Sequence, residues 1–168
     1  MEERTRSTAG GPVPLELGAL YEHYADMIYR LALVRTRNRA DAEDVLQDVF
    51  FRCLRRQPEF RDEEHQKAWL ITAAIRSSNS LLPRADRRHG AGAEALEFLA
   101  SEDDTDDTVY TAVMGLPEKY RTAVHLFYYE GYSVEEIGRM TDTKPSTVKS
   151  HLHRAREALR QVLKEDAQ

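Results

Sequence analysis

Between Lys144 and Arg154 the sequence KPSTVKSHLHR sets two chemistries on opposite sides of one prospective helix. Val148, Leu152, Ala155, Leu159 and Val162 form an apolar stripe, and Lys144, Ser146, Thr147, Lys149, Ser150, His151 and Arg154 lie away from it. Short polar side chains reach base edges while ammonium and guanidinium groups hold phosphates, so this set suits the major groove of DNA. For an isolated basic helix, a merely solvated outer face is the better account. Three coincident features reverse that preference. A capped short helix precedes the segment, Thr141, Asp142 and Thr143 make a turn of fitting length, and the excess of base is local: Lys144, Lys149, Arg154, Arg156, Arg160 and Lys164 face one acid, Glu157. Short helix, tight turn and basic helix together make a helix-turn-helix.

A second set is Trp69, Thr72, Arg76 and Asn79, spaced three, four and three along another helical pattern. Tryptophan beside arginine and asparagine suits single-stranded bases, which stack on aromatic rings and hydrogen-bond through their open edges. Lys67, Arg84, Arg87 and Arg88 flank it as phosphate partners. A tryptophan folded back into a core fits the same residues equally well. The third set, Asp44, Gln47, Asp48, Phe51 and Arg55, puts a phenylalanine among charges on an outward side, the pattern of a protein-docking surface. Packing of Phe51 against the loop 57–66 is nearly as good an explanation.

Catalytic patterns are missing. His151 and His153 are two apart and diverge on a helix, and His23, His65, His89 and His125 have no ligand spacing, so no metal is expected. There is no glycine-rich phosphate loop, serine elbow or cysteine nucleophile context, and neither enzymatic activity nor a cofactor is expected.

The elements that would position these sets follow from apolar periodicity. Leu17, Leu20, Tyr21, Tyr24, Ile28 and Leu31 predict a first helix; Ala42, Val45, Leu46, Val49, Phe50, Cys53 and Leu54 predict a second after a turn at 36–40. A third, over 67–82, carries Leu70, Ile71, Ala74, Ile75, Leu81 and Leu82. Further on, a helix over 117–130 has proline in its first turn and Gly131 past its end. Ser133 and Glu136 are a capping box for a helix over 134–140, and the basic helix runs from Pro145 to about Lys164. The expected architecture is all-α. A disordered tail occupies 1–14, a first helical domain 15–89, a linker 90–108 and a second domain 109–165. Within the linker, 94–100 has the composition of a short helix.

Composition agrees. The 168 residues are 32% charged and 8% aromatic, the profile of a soluble helical protein. A single cysteine, Cys53, excludes an internal disulfide framework and fits a reducing cytoplasm. No membrane span is expected, and the polar opening MEERTRSTAGGPVP lacks the apolar core of a secretory signal. The net charge of −5 argues against nonspecific coating of nucleic acid, which needs clustered positive charge. Charge is segregated, however: Glu94, Glu97, Glu102, Asp103, Asp104, Asp106 and Asp107 crowd a stretch without Lys or Arg.

These segments resemble a known family. DAEDVLQDVFFRCLR at 41–55 is similar to the helix of sigma region 2 that binds the polymerase clamp, and KAWLITAAIRSSNSLL resembles the rest of that region. LPEKYRTAVHLFYYEGYSVEEIGRM followed by STVKSHLHRAREAL is similar to sigma region 4. Both in this order, over about 15–163 with only a short linker, resemble an extracytoplasmic-function sigma factor of the sigma-70 family. The resemblance implies binding to core RNA polymerase, at the clamp and the flap, and to promoter DNA, commonly under an anti-sigma factor. It implies that Asp44, Gln47, Asp48 and Phe51 meet the clamp, with Trp69, Arg76 and Asn79 near the minus-ten element and the loop 57–66 holding a flipped base. Lys144, Ser146, Thr147, Lys149, Ser150, His151 and Arg154 then read or clamp the minus-thirty-five element, and the face 120–129 meets the flap. The chain departs from the family where asparagine near Arg76, aspartate near Ser80 and arginine near Pro83 are usual, and His151 stands where arginine is common. Two other classes fit parts of the pattern: a stand-alone helix-turn-helix regulator, and a polymerase-binding antagonist without promoter function.

Overall fold

The computed structural model describes residues 16–82 and 107–166. The expected tail, the linker up to its last two residues and the short helix at 94–100 lie outside the described residues. Seven helices and no sheet strand occur among those that are described, so the all-α expectation holds.

The first bundle is α1 (Leu17–Thr36), α2 (Arg39–Arg56) and α3 (Glu63–Asn79). Only Arg37 and Asn38 separate α1 from α2. Arg37 takes the left-handed conformation (φ 52°) and its N–H closes on Leu33 O, while the Asn38 side chain accepts from Asp41 N at 2.9 Å. One residue ends a helix and the next starts another, which folds α2 back on α1. Asp62 caps α3 by accepting from His65 N at 2.7 Å, so that helix starts four residues before the predicted Lys67. It also stops at Asn79 rather than Leu82. Ile28, Leu31, Val45, Val49, Leu70 and Ile71 are fully buried between the three helices. Burial of each such side chain contributes about 1.5–3 kcal/mol.

The second bundle is α4 (Asp107–Met114), α5 (Glu118–Val124), α6 (Val134–Thr141) and α7 (Pro145–Asp166). From His125 to Tyr129, α5 continues as a π-helical turn, with Glu130 N donating to His125 O at 3.1 Å. Leu126, Ile137, Val148 and Leu152 make its centre. Three positions of the predicted apolar stripes are outside the core. Tyr21 is 48% exposed, with its ring against Phe50 at 4.9 Å between centroids, Leu54 is 52% exposed and Val162 40%, each at the margin of its helical stripe. Cys53 is buried as expected, and burial pushes its thiol up to about 11.

The bundles are packed together: α1 lies on α5, α3 lies on α6, and their buried side chains merge into one apolar cluster. The seam also holds buried polar groups, Arg35, Ser78, Arg121, Thr122 and His125.

Candidate nucleic-acid and protein interfaces

The α6–α7 unit is built by local chemistry. Ser133 N donates to Glu136 Oε2 at 2.8 Å while Glu136 N donates to Ser133 Oγ at 3.2 Å, the predicted reciprocal cap. At the other end Asp142 is left-handed (φ 54°), and Thr143 N donates to Gly138 O at 2.9 Å. A Cβ on Gly138 would stand 2.7 Å from Thr143 O, so glycine permits the backbone to close this tightly. Thr141 and Thr143 hydroxyls meet at 2.8 Å across the turn.

Behind that turn α7 starts at Pro145. Lys144, Ser146, Lys149, Ser150 and Arg154 are exposed, with Thr147 half-buried, so most of the proposed DNA-reading set shares one solvent-facing surface at a helix N-terminus. Peptide dipoles add positive potential there for phosphates. His151 is set apart. It is half-buried, its ring centroid 5.4 Å from that of Tyr120, and burial followed by Lys119 lowers its pKa. Arg156, on the same helix, is engaged by Tyr128, its Nε donating to the hydroxyl at 2.6 Å.

On α3, Arg76 and Asn79 are exposed and Trp69 is half-buried, its ring edge-on to Phe60 at 5.8 Å between centroids. Trp69 therefore stands between the two readings of the sequence, anchored at one edge and open at the other. Phe60, fully buried, was missed in the sequence; a lone aromatic in the charged run EFRDEE was its signal. Asn79 is turned toward α1, its Oδ1 accepting from Arg35 Nη2 at 2.6 Å. Arg35, Asn79, Glu118 and His151 line one cavity of about 160 Å³, which brings a residue of the expected minus-ten set beside one of the expected minus-thirty-five set.

On α2, Asp44 and Gln47 are exposed, Asp48 is half-buried and pairs with Arg52 at 3.0 Å, and Phe51 is 58% exposed. More than half of the Phe51 side chain faces solvent. Leu54, one turn away on the same side, extends it into an apolar strip framed by charges. On the second bundle Tyr128 and Tyr129 are exposed, but Tyr129 also contacts Arg30 of α1 and stacks on His125 at 4.9 Å.

The described residues hold no group of three or more His, Cys, Asp or Glu side chains suited to a metal, and none of their helices is long and apolar enough to cross a membrane.

Comparison with known proteins gives matches along both bundles. The family model for Sigma-70 region 2 matches residues 20–88 and that for Sigma-70, region 4, matches 106–159. RNA polymerase sigma factor SigV of Bacillus subtilis is 32% identical over 149 residues, spanning 86% of this chain and 89% of SigV. The ECF RNA polymerase sigma factor SigM of Mycobacterium tuberculosis is 31% identical, over 86% of this chain and 75% of its own length. The ECF sigma factor SigE of Mycolicibacterium smegmatis is 33% identical, over 86% of this chain but only 60% of that longer protein. Among solved structures, the sigma factor RpoE crystallised with the anti-sigma factor NepR from Bartonella quintana superposes with a TM-score of 0.66 at 20% identity, covering 88% of this chain and 96% of that one. That likeness is one of fold.

Proposed function

The chain belongs to the sigma-70 family as an alternative sigma factor of the extracytoplasmic-function class, and we propose that it docks on core RNA polymerase through α2, captures the opened minus-ten strand beside α3 and reads the minus-thirty-five element with α7. Sigma factors are transcription initiation factors, and the chain's part in this scheme is binding without bond chemistry. The observation that carries the reading is the turn closed over Gly138, behind which α7 presents Lys144, Ser146, Lys149, Ser150 and Arg154 to solvent. Phe51 and Leu54, exposed beside Asp44 and Gln47, supply the docking strip on α2. Aromatic anchors in charged surroundings dominate protein interfaces. Trp69 offers its open edge for stacking and Arg76 a cation for phosphate. Each DNA contact is weak alone; held on one polymerase, the second benefits from a high effective concentration.

An anti-sigma factor is the proposed regulator. The RpoE neighbour is described in complex with one, and the strip at Phe51 and Leu54 is an apolar surface that such a partner would cover.

The test is run-off transcription with purified core polymerase over a library of genomic promoters, comparing the intact chain with Asp48→Arg. Discrete transcripts lost in the variant support the reading. Core binding without transcripts would make the chain an antagonist, and absence of core binding would make it a stand-alone regulator.

A further inference from the structure

We propose that the trench between α1 and the start of α3, which ends at the π-helical turn, is a binding site for a linear aliphatic polyamine. Such a site goes beyond the promoter-binding reading and does not rest on it. A cavity of about 580 Å³ lies there, walled by Tyr24, Asp26 and Arg30 of α1, Glu63, Glu64 and Lys67 of α3, and Tyr129 and Glu130 at the end of the turn. Through shared walls at His23, Tyr24 and Glu63 it continues into a second cavity, of about 470 Å³, that reaches Glu16. From Glu16 to Arg30 the chain rises about 21 Å at 1.5 Å per residue, so the joined space is elongated and suits a linear ligand.

Charge decides the class of that ligand. Among the described residues, Glu16, Asp26, Glu63, Glu64 and Glu130 line the trench with two permanent cations, Arg30 and Lys67. Both cations are engaged: Lys67 Nζ lies 2.9 Å from Glu130 Oε2, and Arg30 donates to the Tyr129 hydroxyl. What is left to meet a ligand is carboxylate, which attracts a cation and repels an anion. The same field acts on the neighbouring phenols. Burial and then Glu63 raise the pKa of Tyr24, and that of Tyr132 is pushed up to about 12 by burial first, then Glu130 and Glu136, with Tyr24 and Glu64 adding to it.

Two observations single out an ammonium among cations. The Lys67 ammonium already sits against both the Glu130 carboxylate and the face of Tyr132, 5.5 Å from the ring centroid, so this wall holds one primary amine by a carboxylate and an aromatic ring. Tyr24 and Tyr129, with Asp26, Glu63 and Glu64, supply the same two kinds of group to a second amine. Directly behind the wall, His125 is 8% exposed, stacks on Tyr129 and points Nε2 at Glu130 Oε1 from 3.8 Å, with no hydrogen-bond partner. Burial holds the imidazole neutral, and a neutral imidazole nitrogen facing a carboxylate oxygen at that distance is completed by an N–H donor that serves both. An ammonium brings three such donors; a metal ion brings none.

Isothermal titration calorimetry of the full-length chain with spermidine tests the site. Expected are one saturable site and an affinity about tenfold weaker in Asp26→Asn/Glu64→Gln, because an exposed ion pair is worth up to about fivefold and two are lost. Both positions are exposed and both substitutions keep the side-chain shape. Asp103→Asn/Asp104→Asn removes the same charge from the acidic run of the sequence and should bind spermidine as the parent does. Magnesium ion should displace spermidine no better than sodium at equal ionic strength. Thermal unfolding gives an independent reading: saturating spermidine should raise the midpoint of the parent and leave that of Asp26→Asn/Glu64→Gln unmoved. Absence of saturable binding, equal weakening by the two double variants, or ready displacement by magnesium would reduce the interaction to diffuse attraction and overturn the proposal.

Discussion

His125 sits in the π-helical turn with its ring stacked on Tyr129 and its Nε2 without a hydrogen-bond partner. Burial, with Arg30 adding to it, lowers its pKa from 6.5 to about 4, so the folded protein holds it neutral at pH 7. The Glu130 carboxylate lies 3.8 Å away but is already paired with Lys67. Because the unfolded chain takes up this proton near pH 6.5 and the folded one only near 4, the stability contribution is present above pH 6.5 and is lost as pH falls through about 4. The full effect is at most about 3 kcal/mol. Urea unfolding at pH 7 and at pH 4.5 should therefore show a smaller loss for His125→Gln than for the parent, a difference between proteins that the acid titration of carboxylates does not obscure. Gly138 presents a contest between two effects. Alanine is the better helix former by about 1 kcal/mol, yet its Cβ would press on Thr143 O, a backbone atom, and overpacking of that kind costs about 1–3 kcal/mol. The clash wins because the turn has no flexible atom to yield: Gly138→Ala should lower stability by about 1 kcal/mol in denaturant unfolding.

Single elements were largely legible in the sequence, and the reason is that their determinants are local. The capping box at Ser133 and Glu136, the turn before Pro145 and the stripe Val148, Leu152, Ala155 all depend on residues within two turns of one another. Ser133→Ala removes one half of that cap and should cost about 1 kcal/mol by thermal unfolding. Where the period is read without knowledge of the facing surface, it fails at the margins. Leu54 satisfies the helical pattern of α2, yet it is about half exposed and joins Phe51 outside. The start of α3 was misread for a related reason, since Asp62 and the acids Glu63 and Glu64 form a capped first turn that carries no apolar residue to mark it. The exposed pair on α2 separates stability from binding. Phe51→Ser should leave the unfolding midpoint unchanged or slightly raised, because it removes a solvent-facing ring, while weakening capture of core polymerase at least tenfold, as loss of a central aromatic anchor does. Biolayer interferometry against immobilised core checks the second half, and an equal fall in both quantities would mean that Phe51 serves the fold.

At the scale of the molecule, the packing of one bundle on the other was not legible, because its determinants are far apart in the chain. Arg35 reads in sequence as a basic residue closing an amphipathic helix; its burial depends on acceptors 43 and 83 residues away, at Ser78 and Glu118. Periodicity is blind to such pairs. What the sequence did expose was the asymmetry of charge, and that asymmetry determines how the assembled molecule should respond to salt. Each cation that displaces counterions from a phosphate contributes about one to the slope of log affinity against log salt concentration. Lys149 and Arg154 are exposed on the outer face of α7, whereas Arg156, two residues further on, is engaged with Tyr128. Composition counts all three alike; geometry does not. With holoenzyme on a promoter retaining its minus-thirty-five element, Lys149→Ala and Arg154→Ala should each reduce the salt slope by about one and lower open-complex formation at moderate salt. Arg156→Ala should leave the slope unchanged. Deleting the minus-thirty-five element should abolish the difference between Lys149→Ala and the parent. If the three variants instead lose slope equally, the contribution of α7 is diffuse attraction from a basic helix and not docking in a groove.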